Sequence, residues 1–147
     1  MQTPPASTPP PSLLVQLRDL ERSITMGLVS QLRAAGYPGL TPAHGKVFPF
    51  IAANGSRVAD MARAAHMTKQ SMADLVDLLE QQGYVRRKPD PSDHRAKLVH
   101  LTPRGEQVVD TATRALNDAY AQIERVIGAD GLATLRQLLG ALQTSTR

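Results

Sequence analysis

Between residues 84 and 104 the chain gathers six cations, Arg86, Arg87, Lys88, Arg95, Lys97 and Arg104, against two carboxylates, Asp90 and Asp93. That excess of four equals the formal net charge of +4 carried by all 147 residues, so the rest of the chain sums to zero. Charge held in one short stretch suits a polyanionic partner better than it suits general solubility. Upstream stand Thr68, Lys69, Gln70 and Ser71, just before an apolar helical stripe. In the first turn of a helix, lysine donates to guanine acceptors, glutamine forms two bonds with adenine, and hydroxyls serve bases or phosphates. The helix N-terminus adds free N–H groups and a dipole that favours phosphate.

Bond-making chemistry finds no comparable foothold. The chain has no cysteine, which removes disulfides, thiolate metal sites, thiol nucleophiles and thiol redox sensing. Four histidines, His44, His66, His94 and His100, lack close ligand spacing, so no metal is expected. No serine lies in a strand–turn–helix elbow, no glycine loop cradles phosphate, and no catalytic residue or cofactor is expected. Five aromatics, three tyrosines and two phenylalanines, are too few for a base-stacking surface. No apolar run approaches the length of a membrane span, and the start lacks a basic-then-apolar leader pattern. The expected location is the cytoplasm, with the protein on the nucleoid when bound to DNA.

The elements that must position these residues follow from periodicity. Residues 1–11, MQTPPASTPPP, read as a disordered proline-rich tail. Leu13, Leu17, Leu20, Ile24, Leu28 and Leu32 form one helical stripe, with Ser12 as cap and Gly36 as stop. Thr41-Pro42 opens a second helix expected to reach about Ala53. Pro49 within it removes a bond to the carbonyl of Gly45, so a kink or early end is expected there. A short helix around Val58–Ala65 and a second one from Thr68 to Gly83 make a helix-turn-helix. Residues 84–88 and 97–101 read as two strands around a PDPSDHR turn. Thr102-Pro103 opens a long helix that Gly128 breaks, and a last helix starts near Asp130.

The expected fold is thus mostly α with a small β-hairpin wing: a winged helix-turn-helix over 41–102, flanked by dimerisation helices over 12–40 and 103–147. The recognition helix at 68–83 enters the major groove of double-stranded DNA. Arg87, Lys88, His94, Arg95 and Lys97 follow on the wing, with Arg95 best placed for the minor groove. Asp93 either pairs with Arg95 or caps the turn. The long apolar end helices need a partner, and a second copy is the simplest. Leu13, Leu17, Leu20, Leu135, Leu138, Leu139 and Leu142 are the candidate dimer contacts. The alternative is a winged-helix protein-interaction module without DNA binding.

The stretch LTPAHGKV, then VADMARAAHMTKQSMADLVDLLEQQGYVRRKPDPSDHRAKLVHLTPRG, resembles the MarR (multiple antibiotic resistance regulator) family of bacterial transcription factors. Its most specific part is Asp93-His94-Arg95 followed by a strand and by Leu101 to Gly105. The resemblance implies an obligate homodimer, repression by blocking a promoter, and a wing-tip arginine at Arg95 supported by Asp93. It also implies release by a small aromatic or anionic effector in a cleft between reading head and dimer helices. Tyr37, His44 and Phe48 lie near that junction and are the candidate ligand contacts. The chain lacks the cysteines of peroxide-sensing relatives, and Pro49 departs from the family pattern.

Overall fold

The computed structural model describes residues 12–145; the proline-rich tail expected at 1–11 lies outside them. Helix α1, Leu13–Ala34, starts where the Ser12 hydroxyl accepts the N–H of Val15 at 3.4 Å. Leu28 and Leu32 turn its C-terminal half into the core. Two short 3-10 helices follow, Pro42–Lys46 and Phe48–Phe50. Helix α2 spans Val58–Ala64 and α3 spans Lys69–Gln81. Strands β1, Val85–Asp90, and β2, Asp93–Leu101, form an antiparallel hairpin. Helix α4 runs Pro103–Ser145 with a break at Gly128.

Most of these boundaries match the expected caps. One does not. The helix expected from Thr41 to about Ala53 is replaced by the two 3-10 helices. Pro49 cannot donate to Gly45, and an α-helical ladder cannot continue past it. The strands are also longer than expected, so that PDPSDHR shrinks to a Pro91–Ser92 turn. Pairing reaches Asp90 opposite Asp93, with an irregularity between Pro89 and Asp90. A further bridge joins Ser56 to Val99, with Ser56 N to Val99 O at 3.0 Å and Val99 N to Ser56 O at 2.8 Å. The wing is therefore tied to the segment entering α2. At Gly128 φ is 74°, a conformation that costs glycine little and lets the last helix change direction.

The core lies where the helix-turn-helix, the hairpin, the end of α1 and the start of α4 meet. Val47, Met61, Met72, Val76, Leu79, Val85, Val99 and Val108 are all almost fully enclosed. Tyr84 joins them, edge-on to Tyr37 at 6.1 Å and beneath the Arg104 guanidinium at 4.8 Å. Helix α1 packs along α4. Their outer ends remain apolar and open, with Leu13 63% and Leu138 59% exposed.

Candidate nucleic-acid interface

The first turn of α3 is built from its own side chains. The Thr68 hydroxyl accepts the N–H of Ser71 at 3.1 Å and donates to the Ser71 hydroxyl at 2.8 Å. This cap satisfies one of the helix's free donors and starts α3 cleanly. Gln70 Nε2 donates to Asp74 Oδ1 at 2.7 Å, one turn further on. Its carbonyl oxygen and the second hydrogen of its amide nitrogen stay free for a two-point pairing with adenine. Lys69, Gln70 and Ser71 are all exposed.

The wing separates its charges. Arg87 faces inward, where its guanidinium pairs with Asp77 at 2.6 Å and with Glu80, both on α3. The Glu80 carboxylate also accepts the Arg87 backbone N–H at 2.7 Å. Arg87 is therefore a bracket between β1 and α3, a placement that the sequence reading, which grouped it with the outward cations, missed. Arg104 covers Tyr84 at the hairpin's base. Arg86, Lys88, His94, Arg95 and Lys97 are exposed and carry no ion pair among the described residues.

The acids of the wing are engaged. Asp90 is 5% exposed. Its Oδ2 accepts Arg57 Nε at 2.8 Å and Nη2 at 2.5 Å, while Oδ1 accepts the Ser92 N–H at 2.8 Å and hydroxyl at 2.6 Å. The two Ser92 bonds, then the Arg57 guanidinium, hold its pKa down to about 2. Asp93 Oδ1 accepts the Arg95 N–H at 3.1 Å, and its other oxygen lies 3.8 Å from Arg57. Of the two roles expected for Asp93, the structure has it capping the turn, and its cation is Arg57 rather than Arg95. Arg57 carried no sequence signal, because its partner is 33 residues away.

The candidate ligand residues divide. A cavity of about 270 Å³ opens between α1, the 3-10 helices and α4. Thr25, Leu32, Phe48, Val108 and Leu116 are among its lining, which includes no charged side chain. Phe48 lines it, whereas Tyr37 and His44 do not. His44 is buried, and its Nδ1 accepts the Thr41 N–H at 3.1 Å, which leaves the proton on Nε2, without a partner. Burial lowers its pKa from 6.5.

The candidate dimer residues cluster on the ends of α1 and α4. Leu17, Leu20 and Leu142 are exposed, and Leu135 and Leu139 are half-buried. Among the described residues no cluster of three acidic or histidine side chains could hold a metal, and no helix is long and apolar enough to cross a membrane.

Known proteins share this arrangement. The MarR family profile matches residues 39–96, which hold the 3-10 helices, the helix-turn-helix and the wing turn. The regulator FarR of Neisseria gonorrhoeae is 26% identical over 129 residues, 82% of this chain and 88% of that protein. The activatory protein BadR of Rhodopseudomonas palustris is 34% identical over 68 residues, but these cover 46% of this chain and 39% of BadR. Apo MarR from E. coli superposes with a TM-score of 0.69 at 23% identity, covering 90% of this chain and 96% of MarR, a likeness of fold. The helix-turn-helix and wing segment thus matches the MarR family profile, and over most of its length the chain is similar to a transcriptional regulator.

Proposed function

We propose that the protein is a homodimer that binds double-stranded DNA at a pseudopalindromic site and represses the adjoining promoter. The first turn of α3 reads the major groove and Arg95 enters the minor groove. One observation carries this reading. Both wing carboxylates are engaged by Arg57, Ser92 and the turn backbone, while Arg86, Lys88, Arg95 and Lys97 stay exposed and unpaired among the described residues. The wing therefore presents unpaired cations, while of its two acids Asp90 is buried and Asp93, though exposed, already accepts the Arg95 N–H and faces Arg57. The exposed leucines at the ends of α1 and α4 support pairing of two copies.

An effector of the cleft would be small and uncharged, because the cavity offers apolar walls and threonine hydroxyls but no cation. A phenol or a neutral aromatic fits these walls better than the anion that the resemblance allows.

A binding series on genomic duplex fragments tests the main reading. Log affinity should fall with log salt at about 0.9 per phosphate neutralised. A salt-indifferent interaction with a protein partner, and none with duplex, would instead identify an interaction module.

A further inference from the structure

Asp90 is the one carboxylate among the described residues that is buried. It sits at the irregular step of the hairpin, directly before the Pro91–Ser92 turn. Its partner comes from outside the wing: Arg57 is the residue that precedes α2, whose Met61 and Ala62 are locked in the core against α3. Two donors of one guanidinium converge on one oxygen, and the turn's own N–H and hydroxyl take the other. Asp93 extends the contact, lying against Arg57 on one side and holding the Arg95 N–H on the other.

An isolated two-stranded ribbon is marginally stable and moves freely at its tip. The base of this hairpin is fixed by the core, by Arg87 and by the Ser56 bridge. Among the described residues, the hydrogen bonds and ion pairs that join its tip to the rest of the protein are those of Arg57. We infer that Arg57 is a positioning residue for DNA recognition: by gripping Asp90 it sets where Arg95 stands relative to the first turn of α3, and so whether both grooves are engaged together. The inference rests on the duplex-binding reading, and its test separates the two.

The test is a mutant cycle in the full chain with Asp90→Asn, Arg57→Lys and Arg95→Ala. Affinity is read by fluorescence anisotropy on the duplex that wild-type protein selects from a random pool. Asp90→Asn removes a negative charge near the DNA, so simple electrostatics demands tighter binding. A positioning role demands the reverse, about tenfold weaker binding, and little further loss when Arg95→Ala is added. Arg57→Lys keeps the charge but not the two-donor grip, so it should behave as Asp90→Asn does. Restored affinity with lysine would make Arg57 a plain phosphate contact and overturn the inference. Additive losses, or tighter binding by Asp90→Asn, overturn it too.

A second measurement needs no DNA. Amide hydrogen exchange across residues 93–97 of the free protein should quicken about tenfold in both clamp variants, with the protection of α3 retained. Unchanged exchange refutes the clamp whatever the DNA result. Faster exchange in a protein that binds no duplex leaves the clamp standing and refutes the duplex reading.

Discussion

A methyl group placed on Gly105 would sit 2.0 Å from the carbonyl oxygen of Tyr84. That oxygen is already in use, accepting the N–H of Thr102 at 3.1 Å, while the Thr102 hydroxyl donates to the carbonyl oxygen of Gly83 at 2.6 Å. The Thr102 hydroxyl in turn accepts the Gly105 N–H at 3.1 Å. The LTPRG run is therefore a joint: threonine caps α4, proline begins it, and glycine lets it lie against the chain entering β1. Gly105→Ala should cost about 3 kcal/mol, at the upper end for overpacking, since the obstacle is backbone. The melting temperature should fall by about 10 °C at fixed protein concentration. An unchanged melting curve would mean that α4 does not approach Tyr84 this closely.

His44 gives the head a dependence on pH. Its folded pKa is depressed by burial, and its Nδ1 must stay unprotonated to accept the Thr41 N–H. Below about 6.5 the unfolded chain takes up the proton first, so stability is complete above that value and falls as pH drops through it, until the folded form also protonates. Glutamine at this position can accept the same N–H, as in a capping box, and does not titrate. His44→Gln should therefore lose less melting temperature than wild type between about pH 7.5 and 5.5. His100, also lowered by burial with help from Lys88 and Arg86, contributes equally to both proteins. Parallel curves would remove His44 from the account.

Arg95→Ala should weaken binding to a selected duplex about tenfold and make the log–log salt slope shallower by about 0.9. Helical content should not change, because the side chain is exposed and makes no ion pair among the described residues. Full affinity in this variant would place the minor-groove contact elsewhere.

Leu138→Asp addresses the pairing of two copies. Leu138 is 59% exposed in one chain, so aspartate there is harmless to a monomer but costly within a dry interface. Sedimentation should show monomers, with melting now independent of concentration. A dimer of ordinary stability would move the contact away from the end of α4.

What could be read in the sequence was local. Ser12, Thr68 and Thr102 announced their helices because a cap acts within four residues, and Gly128 announced its break for the same reason. The exposed leucines could be recognised as a surplus stripe. The contacts that aim the wing could not. Arg57 meets Asp90 across 33 positions, and Ser56 meets Val99 across more, so neither pairing leaves a periodic trace. Arg87 looked like one more cation in a basic run. Only the fold shows that Asp77 and Glu80 draw it inward. His44 was visible as a histidine four residues before Phe48, but its burial against Thr41 depends on the 3-10 turn that stands in place of the expected α-helix.

Pro49 has a mechanical consequence. Phe48 and Pro49 form part of the cavity wall, and the turn around them is held by single bonds, Phe50 N to Val47 O at 3.1 Å and Ile51 N to Phe48 O at 3.2 Å. Such a wall lacks the reinforcing ladder of an α-helix and yields more readily to a guest. That wall lies a few residues upstream of Ser56 and Arg57, whose bonds to Val99 and Asp90 tie the hairpin to the helices.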